Sequence, residues 1–309
     1  MPSTARSFGN RHNLPEPVCA VLTADTYDKG RANISVTGLI QSPRVRILGK
    51  EGNRYDVSDM VWTSFGTAWH SHAQAALNGY NPDWVVEERY FVDVNGWVVS
   101  GQADLQTTKD DGTIHLWDWK VTTTNKIAKG LAAEWEQQLN CYAYLIRRST
   151  GKIVTSATVL AILRDYKRNL FKRQEHGECA VSVMDIGLWP KDQQESYIKQ
   201  RVSLHQDVEM SHAMGDKLIH CTDLEQWRKP NSYAVMVEGK KRAKMICDTQ
   251  AEAEFQAGMI EGGYVETRFG IPLKCQANYC GVSKRCDQLQ EEKLYQILGK
   301  RESSDQYGD

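Results

Sequence analysis

Two runs of strand-forming residues, VVEERYFVDV (85–94) and WVVSGQADLQTT (97–108), are joined by nothing more than Asn95-Gly96. An Asn-Gly pair between β-rich runs is the strongest short-range hairpin signal, because both residues of the tight turn that suits twisted strands need a positive φ. Residues 85–108 are thereby committed to one hairpin, and everything else must pack around it. A third run, TIHLWDWKVTT (113–123), follows the turn signal Asp110-Asp111-Gly112 and reads as the next strand.

The period then changes. In GLAAEWEQQLNCYAYLIRRST (130–150), Trp135, Leu139, Tyr142 and Ile146 recur at i, i+4, i+7 and i+11, the stripe of a long amphipathic helix. KIVTSATVLAILRD (152–165) is apolar and β-branched, which predicts a strand central in its sheet. Upstream, VWTSFGTAWHSHAQAALNGY (61–80) predicts a helix from about Thr67 to Leu77, stopped at Asn78-Gly79, with His70 projecting from it. ISVTGLIQSPRVRILGK (34–50) predicts a short helix broken near Pro43. Helix, three strands, helix, strand describes an α/β core with a mixed β-sheet flanked by helices.

The 309 residues suffice for one large core with additions. We assign 1–32 to an N-terminal arm and 33–185 to the core. Residues 186–300 form a helical and hairpin extension, and 301–309 a disordered tail. The extension contains a long polar helix beginning at Pro190, a hairpin turning near Glu238-Gly239, and a short helix over AEAEFQAGMI (251–260). A hydrophobic content of 41% and a charged content of 25% exclude fibrous and disordered classes. No apolar run approaches the ~20 residues of a membrane helix, and the N-terminus lacks the apolar stretch of a signal peptide. The expectation is a cytoplasmic protein with no membrane partner. A net charge of -1 gives no global attraction to polyanions, yet Lys120 to Arg173 holds 11 Lys/Arg against 3 acids. That local excess is what a phosphate-backbone binder leaves.

Asp104 lies near the end of one hairpin strand, and Asp118 and Lys120 sit two apart on the next, so the latter two share a face. Thirteen residues separate the aspartates, enough for a turn and a return strand. Two carboxylates and an ammonium can then converge at one sheet edge. Carboxylates are hard ligands for Mg²⁺ or Mn²⁺, and such an ion polarises a phosphoryl oxygen and acidifies a bound water. The lysine can orient that water and neutralise charge developing on phosphate. An isolated D-x-K is more often a solvated ion pair, so the neighbouring residues decide.

Those neighbours resemble the PD-(D/E)xK nuclease superfamily, specifically its RecB-type exonuclease branch in phage-type form. GQADL, with Gly101 and Asp104, is similar to that branch's G-x-x-D, DWK to its (D/E)-x-K, WEQQLNCY to its Q-x-x-x-Y, and GTAWH to its upstream G-x-x-x-H. The resemblance covers roughly 35–165 and implies a restriction-endonuclease-like fold. It further implies metal ligation by His70, Asp104, Asp118 and the carbonyl of Trp119, with Lys120 positioning the nucleophile. Gln138 and Tyr142, one helical turn apart, are implied to contact DNA or support the metal site. An upstream acid also belongs to the pattern. Glu87 and Glu88 point to opposite strand faces, so only one can reach the site, and Glu88 is the favoured one.

Eight cysteines in a chain of this kind argue for buried thiols or metal ligands rather than disulfides. PLKCQANYCGVSKRC places Cys275, Cys280 and Cys286 close together in a polar segment. Some RecB-type nucleases clamp this segment with a [4Fe-4S] cluster; Zn²⁺ is the alternative, and spacing does not separate them. The cysteine expected early in the chain of those relatives is replaced here by Gln41 and Ser42, which leaves Cys221 as the first choice of fourth ligand and Cys19 as the second. Cys141 and Cys179 read as ordinary buried thiols.

The expected function is a metal-dependent DNA exonuclease acting on linear ends, single- or double-stranded, in phage or mobile-element recombination or end processing within a bacterial host cell. A catalytically silent DNA-binding or assembly subunit and a structure-selective endonuclease are the alternatives. No G-x-x-x-x-G-K-[ST] occurs, so unwinding would fall to a helicase or recombination partner.

Overall fold

A computed structural model describes residues 7–24, 30–52, 54–168, 179–277 and 279–294. The expected disordered tail, 301–309, lies outside the described residues, as do 169–173 at the end of the basic stretch. Contacts divide the chain into two units, Met1–Arg46 with Arg54–Leu218, and Ile47–Asn53 with Ile219–Asp309. In chain order the elements are β1 (Ser7–Gly9), α1 (Glu16–Thr23), β2 (Ile34–Ser35), α2 (Val36–Ile40), α3 (Pro43–Lys50), β3 (Arg54–Asp56) and α4 (Val61–Leu77). There follow β4 (Trp84–Val94), β5 (Trp97–Thr108), β6 (Ile114–Thr122), α5 (Thr124–Ala128), α6 (Ala133–Thr150), β7 (Val154–Leu163), β8 (Val181–Ile186) and α7 (Lys191–Ala213). Then come β9 (Ser232–Val237), β10 (Met245–Cys247), α8 (Gln250–Gly258), β11 (Gly263–Arg268) and α9 (Leu273–Gln276), and residues 287–294 are again helical. Among the described residues no helix is long and apolar enough to cross a membrane.

The hairpin forms where the sequence requires it. Asn95 and Gly96 take φ of 50 and 78, and β4 pairs antiparallel with β5 from Trp84↔Thr107 to Val94↔Trp97. Strand β6 pairs antiparallel with the end of β5 and parallel with β7, which pairs antiparallel with β8. The result is a six-stranded mixed sheet in which β5 carries β4 along one edge and β2, then β6, along the other, with β7 and β8 following β6. The long crossover that a parallel β6–β7 pair demands is supplied by α6, whose Trp135, Leu139, Tyr142 and Ile146 are all buried in the core. The α/β class and the mixed sheet flanked by helices are as the sequence predicts.

Two helix boundaries differ from expectation, each for a capping reason. Pro43 ends the first helix but also begins a second, because its missing N–H costs nothing in a first helical turn. Helix α4 begins at Val61 rather than near Thr67. Asp56 accepts the N–H and hydroxyl of Ser58 and starts a 3₁₀ turn over Val57–Met60 that runs into α4.

In the second unit, β9 carries β10 on one side and β11 on the other, both antiparallel, and α8 packs its Ala253 and Ala257 into the small core with Val235 and Cys247. The expected hairpin between β9 and β10 is present, and β11 completes a three-stranded sheet that the sequence pattern did not suggest.

Candidate active site

The first unit opens a gap between two of its central strands. On one edge β5 is paired with β4 from Trp97 to Thr107, Asp104 excepted, but on the other it meets β2 at Val99 and Ser100 and β6 only from Leu105 onward. Residues 101–104 therefore have no strand on that side, and β6 continues from Asp118 paired with β7 alone. Where the next β5–β6 pair would form, the carboxylate of Asp104 substitutes for a backbone acceptor: the Trp119 N–H donates to Oδ2 at 2.7 Å. Continuing the Leu105↔Trp117 register places Asp104 opposite Asp118, on one face. Lys120, two residues on, follows on that face and forms an ion pair with Asp118. Trp119, expected to offer its carbonyl, meets the cluster through its amide.

Helix α4 brings His70 to the same place. Its Nδ1 lies 3.3 Å from Oε1 of Glu87 and 3.6 Å from Oδ1 of Asp104. The ligand atoms of His70, Glu87 and Asp104 all lie within 4.8 Å of one another, the one such group of potential metal ligands among the described residues. The acid in this cluster is Glu87, which corrects the sequence choice of Glu88. In the β4–β5 register Glu87 stands opposite Asp104 and shares its face, whereas Glu88 is exposed. Glu87 is also the only β4 residue that the ladder skips, and its φ is 52. A left-handed glutamate in mid-strand costs about 1–3 kcal/mol, and that strain sits at the cluster.

Glu87 is held by residues that the sequence reading did not single out. Gln102 donates its side-chain amide to Oε2 of Glu87 at 2.9 Å and to the Glu87 carbonyl at 3.2 Å. Arg89 in turn donates to Oε1 of Gln102 at 2.5 Å, which fixes which way the amide points. Gln102 is detectable in principle, since it lies two residues from Asp104 and so shares its strand face.

The electrostatics are those of a cation site. Burial first, and the charge of Asp118 second, push the Asp104 carboxyl up to about 7 from its ordinary 3.8. Oδ1 of Asp118 is buried and has no hydrogen-bond partner among the described residues. Burial works against the Lys120 ammonium, but Asp118 and Asp104 outweigh it and hold the lysine above its usual range. His70 behaves likewise: burial opposes its protonation, while the hydrogen bond to Glu87 and the charge of Asp104 raise its pKa. Two imperfectly compensated buried carboxylates beside a third acid and an imidazole fit a divalent cation through hard oxygen donors and one nitrogen.

Gln138 and Tyr142 lie on α6 as expected, and Gln138 donates to the Tyr142 hydroxyl at 2.7 Å. Tyr142 is buried, so it is not placed to meet DNA directly. Its ring covers Gly101, where a Cβ would come within 2.8 Å of Tyr142 and Leu145. The glycine of G-x-x-D is there because the helix leaves no room for a side chain. His72 lies two residues beyond His70 and packs at a tilt against Trp69, with ring centroids 6.1 Å apart.

The four cysteines singled out in the C-terminal half all fall in the second unit. Cys280 and Cys286 are buried, and Cys221 and Cys275 partly so. Burial, then the neighbouring Cys280, Cys221 and Cys286, push the Cys275 thiol up to about 11, which places the other three within electrostatic reach of Cys275. Gln288, two residues past Cys286, accepts the Cys221 N–H at 2.8 Å and donates to its carbonyl at 3.0 Å. Cys19 donates its thiol to the Leu14 carbonyl. Cys141 is buried as expected, but Cys179 is exposed: it precedes β8, the edge strand of the sheet, and donates its thiol to the Val181 carbonyl there.

A family model described as the PD-(D/E)XK nuclease superfamily matches residues 52–287. Among solved structures, one titled "Crystal structure of SSO0001" is similar at 17% identity and a TM-score of 0.41, covering 60% of this chain and 84% of that chain. No curated protein matches.

Proposed function

The chain belongs to the PD-(D/E)XK nuclease superfamily, and from that premise we propose that it is a divalent-metal-dependent deoxyribonuclease acting as an exonuclease on linear DNA ends. The observation that carries this reading is the convergence of His70, Glu87, Asp104, Asp118 and Lys120 in the gap between β5 and β6. His70, Glu87 and Asp104 would hold Mg²⁺ or Mn²⁺, with the orphaned Asp118 oxygen completing the set. One nitrogen among the oxygens tips the preference toward Mn²⁺. Once bound, the ion supplies Lewis-acid polarisation of the phosphate and a water acidic enough to attack it. Lys120 stays charged and places its ammonium where negative charge grows on the phosphate. Asp118 holds that ammonium in position, and Tyr142 orients Gln138 toward the substrate or the metal shell. DNA is the implied partner. Recombination or end processing in a phage or mobile element, with a separate helicase, is the setting we favour.

Degradation of end-labelled linear DNA beside a covalently closed circle, in Mg²⁺ and in Mn²⁺, tests the reading with wild type and Lys120→Ala. Linear DNA lost, circle spared and the variant inactive is the expected result. Cutting of both DNAs would make the enzyme an endonuclease. Cutting of neither would move the silent DNA-binding subunit to the front.

We propose further that Cys221, Cys275, Cys280 and Cys286 hold a [4Fe-4S] cluster rather than Zn²⁺. Zinc at about 2.3 Å from each thiolate sets sulfurs about 3.8 Å apart. No three cysteine sulfurs among the described residues lie within 4.8 Å of one another, although Cys275 feels the charge of the other three. A cluster that interposes its own iron and sulfide suits the wider spacing. A brown anaerobic preparation absorbing near ~400 nm, with iron in it by elemental analysis, is the expected result. A colourless protein containing stoichiometric zinc refutes it.

A further inference from the structure

Helix α4 carries aromatic residues that the described residues leave largely exposed. Trp62 is 54% exposed and Phe65 49%, and with half-buried Trp69 they recur at i, i+3 and i+7 on one helix face. Aromatic side chains left exposed along one helix face mark a binding surface rather than a failure of packing. This strip runs into the cluster. Trp69 precedes His70 and packs edge-on against Trp119 at 6.5 Å, and Trp119 stands between Asp118 and Lys120. At the far end the Arg164 guanidinium lies 3.9 Å from the centre of the Trp62 ring, with exposed Lys167 and Arg168 just beyond it in sequence. Gly66 lies one turn before His70 on the same helix face, and a Cβ there would meet nothing within 4 Å. From Trp62 to His70 the helix rises about 12 Å, the length of about three stacked bases at ~3.4 Å each.

Resting on the nuclease reading above, we propose that Trp62, Phe65 and Arg164 form a stacking track for the unpaired bases of a single-stranded DNA end, whose phosphate enters the cluster past Gly66. Aromatic side chains accept any base, but only one whose face is free. A duplex keeps its base faces on one another and shows only edges and phosphates. The guanidinium over Trp62 fixes the indole and puts positive charge beside the backbone's path. The open position at Gly66 leaves the last turn before His70 unobstructed. The preferred substrate is thus a single strand or an overhang, not a blunt duplex.

Fluorescence anisotropy of a labelled oligothymidine and of a blunt duplex, both in EDTA so that nothing is cut, separates the track from the chemistry. Trp62→Ala and Phe65→Ala are each expected to weaken oligothymidine binding at least about fivefold, the low end for a base that loses its stacking partner. Trp62→Phe should lose less, and duplex binding should stay within about twofold. Both positions are exposed, so the variants should melt with the wild type. Unchanged oligothymidine binding in both alanine variants overturns the proposal. So does an equal loss on strand and duplex, or a dimer in size-exclusion chromatography that Trp62→Ala dissolves. Cleavage of the same oligothymidine in Mn²⁺ is scored separately. Aromatic-dependent binding without cleavage keeps the track and sinks the nuclease reading, and cleavage indifferent to both alanine variants does the reverse.

Discussion

Replacing Asp104 with asparagine should make the metal-free protein more stable while abolishing its activity. The carboxyl is buried beside Asp118, and its pKa rises from 3.8 to about 7 on folding. A carboxyl raised in the folded state destabilises it when ionised. The penalty is absent below pH ~4, grows between the two values and is complete above pH ~7. At 1.36 kcal/mol per unit, a rise of about 3 units corresponds to on the order of 4 kcal/mol at pH 8. Asparagine keeps an oxygen to accept the Trp119 N–H, so little else is lost. At roughly 2–4 °C per kcal/mol for a unit of this size, Asp104→Asn in EDTA at pH 8 should melt about 8–16 °C above wild type. The difference should close as pH falls toward 4. Adding Mn²⁺ should raise the wild-type melting temperature and leave the variant's unchanged, because binding to the folded state alone is stabilising. Thermal melts across pH 4–9, with and without Mn²⁺, decide it. A variant no more stable than wild type at pH 8, or a gap that does not shrink in acid, refutes the claim that the site stores the cost of a buried carboxylate beside Asp118 for a cation to relieve.

Three further outcomes follow from the geometry. Glu87→Gln should weaken Mn²⁺ binding at least about tenfold by calorimetric titration, while Glu88→Gln should leave it unchanged; the opposite pattern would restore the choice made from sequence. Gly101→Ala sets a methyl 2.8 Å from Tyr142 and Leu145 and should cost about 1–3 kcal/mol in urea melts, with activity falling as Tyr142 drags Gln138 away. Gly66→Ala, in an open helix interior, should gain up to about 1 kcal/mol, whereas Gly66→Leu should keep the fold and slow cleavage by filling the entry; a Gly66→Leu enzyme as fast as wild type would show that nothing passes there.

The sequence by itself determined the frame of this protein. Asn95-Gly96 compels a hairpin because few other residue pairs accept two positive φ values in succession, and the 3.6-residue stripe from Trp135 to Ile146 compels an amphipathic helix. Those are local constraints, and local constraints can be read from neighbours in sequence. Asp118 and Lys120 were legible as a pair for the same reason, since strand parity puts them on one face, and the motifs around them singled out Asp104. What only the tertiary structure decided is the phase between elements. Whether Glu87 or Glu88 faces Asp104 depends on the β4–β5 register and on a left-handed backbone at Glu87, and neither leaves a trace in composition or period. The gap that makes the site exists because β6 leaves β5 at Leu105↔Trp117 and stays with β7, a competition between long-range pairings. The same holds for the exposed face of α4: Trp62 and Phe65 look like core residues in any one-dimensional pattern. Only the packing of the sheet shows that nothing in the described chain buries them.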